Sequence, residues 1–285
     1  MKTYRILSLG AGVQSTTIAL MVKRGEIDPI DAAIFADTQE ESGDTYKHLE
    51  WLISETKDSF PTHVVSRGKL GDDLVSGTGA SRRSASIPSF QSEKEGEKCS
   101  GITPRQCTMD YKVAIVEKTI RQTIVGLKPR QRFPKDMSVV QLIGLSFDEP
   151  SRVLRVRNQF EKLSWSKCEF PIFQKQMTRS ACLLWLRKYG VPHEVPRSAC
   201  VFCPYKSNVE WQRLKQSDSS GWSRALEIDK ALRDKSSACA RDLRSVLWLH
   251  RSCVPLEHVD FRSADERIGQ TIISFDTECT GMCGN

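Results

Sequence analysis

The chain has 285 residues, 39% of them hydrophobic and 27% charged, with a formal net charge of +7. That composition excludes an intrinsically disordered chain and a disulfide-stapled miniprotein, and no apolar run approaches the ~20 residues of a membrane-spanning helix. The excess positive charge favours a polyanionic partner, either a phosphorylated nucleotide or a nucleic acid.

The N-terminal segment Met1-Lys2-Thr3-Tyr4-Arg5 reads as the start of a strand and not as a secretory signal, so a cytoplasmic protein without membrane contact is expected. In that setting its ten cysteines are expected to serve as metal ligands or reactive thiols before they serve as disulfides. Residues 4–9 form a short apolar run that meets Gly10-Ala11-Gly12, and residues 15–23 place Ile18, Ala19, Met21 and Val22 at helical spacing, predicting strand, glycine turn and helix. Residues 32–36 predict a buried strand that ends in Asp37-Thr38-Gln39-Glu40-Glu41 and leads into a helix over 45–55. A third strand is expected at 62–65. Residues 66–101, rich in Gly, Ser, Lys and Arg and including Arg67, Lys69, Arg82, Arg83, Lys94 and Lys98, predict a long excursion that serves as a lid beside a site.

Helical periodicity returns over 110–125, and residues 139–145 predict a strand ending at Ser146-Phe147-Asp148-Glu149. This alternation predicts an α/β fold with a doubly wound, mostly parallel sheet, whose ligands lie beyond the carboxyl ends of the strands. Past residue 170 the pattern is mainly helical, over 178–189, 208–216, 223–232 and 240–250, and the chain closes on Cys279-Thr280-Gly281-Met282-Cys283. The expected division is a nucleotide-binding α/β domain over 1–165 and a helical, cysteine-rich region over 166–285.

Glycines between a strand and a helix let the backbone approach an anion, with amide N–H groups and the helix dipole facing its charge. Gly10, Gly12, Ser15 and Thr16 stand where such a turn needs small residues and hydroxyl donors. The stretch Ser8-Leu9-Gly10-Ala11-Gly12-Val13-Gln14-Ser15-Thr16 resembles the PP-loop of ATP pyrophosphatases and phosphoadenosine phosphosulfate (PAPS) reductases. Three further segments agree in order: Phe35-Ala36-Asp37-Thr38 with Glu40, Glu41 and Thr45; Arg105-Gln106-Cys107-Thr108 with Lys112; and Gly144-Leu145-Ser146 with Glu149 and Arg152.

The resemblance implies an adenine nucleotide, ATP or a sulfonucleotide, held by Ser8, Gly10, Gly12, Gln14, Ser15 and Thr16. Asp37 would serve the adenine and ribose or a magnesium ion, and Arg105, Lys112 and Arg152 would neutralise phosphate or sulfate. Gln14 stands where ATP-cleaving members carry Asp, which tilts the resemblance toward the sulfonucleotide reductases.

Cys200-Val201-Phe202-Cys203 puts two thiols on one tight turn, a spacing shared by zinc sites, iron-sulfur clusters and redox dithiols. The family resemblance implies a 4Fe-4S cluster, with zinc as the alternative, on Cys107, Cys200 and Cys203, with Cys182 as the fourth ligand. It also likens Glu278-Cys279 to the reductase tail, which makes Cys279 the nucleophile, while Cys279 and Cys283 remain an exchange couple or metal ligands on the alternative reading. Cys99, Cys168, Cys239 and Cys253 have no partner spacing and are expected to be structural. Three functions follow as expectations: a reductive or sulfur-transfer enzyme served by a thiol or sulfur donor protein, an ATP-dependent enzyme that thiolates tRNA or DNA, or a zinc-bearing module that binds nucleotide or nucleic acid without turnover.

Overall fold

The structure, a computed structural model, describes residues 2–77, 87–241 and 243–262. Its centre is a five-stranded, all-parallel sheet built from β1 (Lys2–Leu9), β2 (Ala32–Asp37), β3 (Thr62–Ser66), β6 (Met137–Ile143) and β7 (Ser166–Glu169), in the spatial order β3-β2-β1-β6-β7. The order reverses between β1 and β6: the chain first winds from β1 out to β3, then returns to the other side of β1. Two small strands inserted before that return, β4 (Phe90–Ser92) and β5 (Gly101–Ile102), pair antiparallel, and β4 also pairs with β8 (Val246–Trp248) in a separate three-stranded sheet.

Alternation along the central strands sends side chains to two apolar faces. Leu7 and Leu9 of β1 and Ala33 and Phe35 of β2 join one core with α1 (Val13–Lys23), α2 (Gly43–Thr56) and α7 (Arg179–Tyr189). Tyr4 and Ile6 of β1 and Ala32, Ile34 and Ala36 of β2 face the opposite way, against Val116 and Ile120 of the helical stretch around α4 (Ala114–Thr119). Both faces of β2 are therefore covered, which is why Ala-Ala-Ile-Phe-Ala reads as a continuous apolar run. Helices on both sides of a parallel sheet match the expected architecture. Among the described residues no helix is long and apolar enough to cross a membrane.

A further core gathers Leu70 and Leu74 of α3 (Leu70–Ser76), Tyr111, Val201 and Phe202, Trp211 and Leu214 of α8 (Asn208–Ser217), and Ala225 and Ile228 of α9 (Ser219–Ala231). It draws on both halves of the chain, while β7, α6 (Pro171–Gln174) and α7, beyond residue 165, complete the central sheet and its first core.

The structure corrects two expectations. The excursion over 66–101 contains α3, β4 and β5. The helix expected over 240–250 is instead a turn followed by β8: Leu249 N and Leu256 N donate to the buried Asp229 carboxylate at 3.4 and 2.8 Å, so these amides are met by a side chain of α9 and not by helical carbonyls. Several elements were not anticipated, among them α6, the 3-10 turn Leu256–His258 and two more. One is α5 (Pro150–Phe160), with proline in its first turn and Val153 as its only fully buried residue, and the other is β7.

Candidate active site at the carboxyl edge of the sheet

Strand order reverses between β1 and β6, and the turns that follow these two strands lie side by side, Ser8 pairing with Ile143 near the strand ends. Ala11 takes φ +55°, and Gly12 is the extended N-cap residue of α1. Ser15 Oγ accepts from Gly10 N and donates to Gly12 O, each at 3.2 Å, which fixes the turn from inside. Gly12 has no side chain to cap α1, so the N-cap residue offers the first amides of that helix no side-chain acceptor. Gly144 lets the β6 turn press against this helix start: a Cβ there would stand 2.9 Å from Ser15 N and 3.2 Å from Ser15 Cα.

The two turns are joined by side chains. Gln14 Nε2 donates to Ser146 Oγ and to Glu149 Oε2, both at 3.3 Å; Glu149 also accepts from Ser146 N and Ser146 Oγ and pairs with Arg152. The Glu149 carboxylate is thus met by donors from Gln14, Ser146 and Arg152. Arg152, expected to contact an anion directly, is engaged here as the clamp on Glu149. Ser8 Oγ donates to Gln141 Oε1 at 3.4 Å beneath the turn. Thr16 is fully buried, bonded to His48 Nε2 at 2.9 Å, and His48 Nδ1 in turn meets His193 Nε2 at 2.8 Å. Thr16 therefore lies behind the crevice and not in it.

At the end of β2, Asp37 Oδ1 accepts from Gln39 N at 2.7 Å and from Tyr46 Oη at 2.9 Å, and Ser42 caps α2. The next residues clasp the cysteine turn: Val201 N donates to Glu40 O at 2.7 Å, Glu41 bridges Cys200 in β fashion, and Thr38 Oγ1 lies 3.3 Å from Cys200 Sγ. Upstream of that turn, the segment through Pro196 and Ser198 passes over the glycine turn, with Ser198 N 3.8 Å from a Cβ placed at Gly12. From that upstream segment Arg197 reaches past the cysteine turn onto Glu210 at 2.6 and 2.7 Å and onto Tyr205 O at 3.2 Å, while a Ser207–Glu210 capping box starts α8.

Cys107 and Lys112 enter from the π-helical turn Thr108–Val113. Lys112 Nζ donates to Glu41 Oε1 at 3.0 Å, and the Glu41 side chain is wholly buried; Ser198 Oγ reaches its other oxygen at 3.5 Å. Burial works against the Lys112 charge, yet the Glu41 carboxylate holds the ammonium above its ordinary range. Burial pushes the Cys200 thiol up, and Glu41 adds to that push, while Lys112 draws it back; at Cys107 burial again raises the thiol and Arg105 opposes it. Cys203 N donates to Cys200 O at 2.9 Å, Cys107 and Cys200 both pack against the core of Tyr111, Val201 and Phe202, and the Arg105 guanidinium stands 5.8 Å above the Tyr205 ring.

Three of the four thiols expected to form one ligand set therefore share one neighbourhood. Cys182 does not join them: it is fully buried in the core between α1 and α7, with its thiol pushed up to about 11 by burial. Cys279 and Cys283 lie outside the described residues, as do Arg82 and Arg83. Among the described residues no group of three or more His, Cys, Asp and Glu side chains is arranged to hold a metal ion. The sequence reading missed Glu41, Glu149, Ser146 and Ser198 as site members; the only signal for the two acids was their place inside motif-like segments. The sequence matches no family model and no curated protein.

Proposed function

We propose that the chain is an adenine-nucleotide-binding enzyme of the PP-loop, PAPS reductase-like kind, carrying out reductive or sulfur-transfer chemistry at thiols beside the nucleotide. The observation that carries this reading is the placement of a capless, glycine-bearing helix start at the strand-order reversal, with the Cys200–Cys203 turn fastened to the neighbouring strand end. Bound there, the phosphates would face the amides of α1, and the base and ribose would extend toward Asp37 and the end of β2. Lys112 and Arg105 supply positive charge on the thiol side, and the Gln14–Glu149–Arg152 clamp keeps the two turns in register.

The thiols of Cys107, Cys200 and Cys203 are a donor set of the right chemistry for an iron-sulfur cluster or zinc, but Cys182 does not complete it, so the fourth donor is sought at Cys283, with Cys279 left free as nucleophile. A cluster bound there would supply redox and sulfur-polarising chemistry, whereas zinc would serve as a structural tie. In the reductive reaction the Cys279 thiolate attacks the sulfonucleotide sulfur, forming an S–S bond and releasing the adenine nucleotide; a thiol donor then displaces sulfite. Anaerobic purification with iron, sulfide and zinc analysis, repeated on Cys200→Ser and Cys279→Ser, tests the metal assignment, and sulfite release from a sulfonucleotide tests the chemistry. Loss of sulfite release in Cys279→Ser is expected; unchanged release removes Cys279 as nucleophile.

One observation favours a polymeric substrate instead. Helix α5 starts beside the crevice at Pro150 and carries Arg152, Arg155 and Arg157 with no acidic residue, and Arg155 and Arg157 are exposed. Binding of tRNA or DNA that weakens steeply with salt and is reduced by Arg155→Ala with Arg157→Ala would support thiolation of nucleic acid; salt-independent or absent binding would leave the nucleotide reading alone.

A further inference from the structure

The helix that leaves the candidate site carries positive charge away from it. At the carboxyl end of β3, Ser66 and Arg67 line a recess of about 390 Å³ with Ala114, Ile115 and Lys118 of α4. Arg67 is held there by donating to Asp110 O at 2.7 Å. Lys118 is exposed, and Arg121 stands one turn further along, in the π-helical turn Ile120–Ile124 that ends the helix. Beyond it, residues 128–135 form the loop that leads into β6.

Arg121 fixes this loop. Its Nη2 donates to Gln131 O at 2.5 Å, and its guanidinium stands 5.7 Å from the Phe133 ring and 5.5 Å from the Trp165 ring, which stack on each other at 5.1 Å. Lys128 N donates to Gln131 Oε1 at 2.9 Å and Gln131 N to Lys128 O at 3.0 Å, closing a turn in which Arg130 takes φ +64°. Leu127 is buried and Phe133 half-buried, so the loop turns its apolar side chains inward, while Lys128, Arg130, Arg132 and Lys135 are all exposed. Residues 118–135 hold six Lys and Arg and no Asp or Glu. Among the described residues, neither Lys118 nor any of the four loop cations pairs with a carboxylate. Unpaired like charges on one fixed loop repel one another, and a bound polyanion removes that cost.

We propose that this loop and the helix leading to it bind a nucleic acid by its phosphates, along a track from Arg67 through Lys118 to Arg130 and Arg132, without reading base sequence. Exposed Lys and Arg release condensed counterions when they meet a phosphate backbone, and cations spread over a helix and a loop fit a row of phosphates better than one nucleotide. No apolar side chain projects from the loop to enter a bilayer, which sets it apart from a membrane anchor. None of these residues belongs to α5 or to the glycine turn, so the inference holds or fails independently of both readings of the crevice.

Fluorescence anisotropy with a labelled RNA hairpin and a labelled DNA duplex, over a series of salt concentrations, tests it on the full chain and on Arg130→Gly with Arg132→Ala. Glycine accepts the positive φ at 130 and both positions are exposed, so the variant is expected to keep the thermal midpoint of the wild type. The expected result is an affinity lower by about tenfold or more and a log–log salt slope smaller by roughly two, with an ATP titration that matches the wild type. Arg155→Ala with Arg157→Ala is the comparison for α5. Wild-type affinity and slope in the loop variant, whatever the α5 variant does, would overturn the inference, as would no binding of either nucleic acid, with or without capture of phosphatidylserine vesicles.

Discussion

Two parts of the carboxyl edge are built by opposite means. Over β1 and β6 the site is made of backbone: small residues, a left-handed Ala11, and a helix start that Gly144 allows to approach within contact of the neighbouring turn. Over β2 it is made of buried charge contributed by remote segments. Glu41 holds Lys112, and Glu40 holds Arg224 of α9 in a two-pronged pair while also accepting from Gly71 N. A close backbone contact fails when volume is added to it, whereas a buried charge pair fails when one partner is removed.

The largest expected effect breaks the charged half. The side chain of Glu40 is 2% exposed, so Arg224→Ala leaves its carboxylate buried and unpaired, and a loss of about 3–5 kcal/mol is expected in urea unfolding. Arg224→Ala combined with Glu40→Gln should recover much of that loss; equal losses in the single and double variants would show that the pair is not coupled. On the backbone half, Gly144→Val drives side-chain atoms into Ser15, and destabilisation of about 1–3 kcal/mol together with loss of nucleotide binding is expected. Normal binding by Gly144→Val would show that the close approach of the two turns is dispensable.

A smaller effect probes why glutamine occupies position 14. Gln14→Asp replaces an amide donor facing Glu149 with a like charge, which should lower stability by about 1 kcal/mol and create a site where magnesium raises the thermal midpoint. Wild-type protein should show no such magnesium response, and a response of equal size in both would contradict the role given to Gln14. The smallest effect concerns the histidine chain behind the loop. Burial, then the neighbouring His193, lower His48 to about 4, against an unfolded value near ~6.5. The unfolded chain therefore binds the proton first: His48 contributes its full stability above about pH 6.5 and loses it progressively as pH falls toward 4. His48→Asn should flatten that part of the stability profile, and parallel profiles for the two proteins would remove His48 as its source.

This contrast also explains what the sequence disclosed. Strand, glycine turn and helix are local patterns, so β1, α1, β2 and the crevice at Gly10–Gly12 were readable from short windows. The Glu41–Lys112 and Glu40–Arg224 pairs join residues from distant segments and leave no local trace. Val246-Leu247-Trp248 fits a helix as well as a strand until its partner β4 and the buried Asp229 are known. Cys182 shows the converse, since its nearness in sequence to the CxxC turn does not carry it out of the α1–α7 core.

Isothermal titration of ATP and a sulfonucleotide into wild-type and Gly12→Asp protein tests the central claim most directly. At Gly12 the backbone is extended and the nearest atoms to an added Cβ stand 3.8 Å away, so Asp fits there as an ordinary helix cap while placing a negative charge where the phosphates are proposed to bind. Binding by the wild type that is lost in a normally folded Gly12→Asp variant is the predicted result; equal affinity in the two proteins, or no adenine-nucleotide binding by the wild type, would contradict the account.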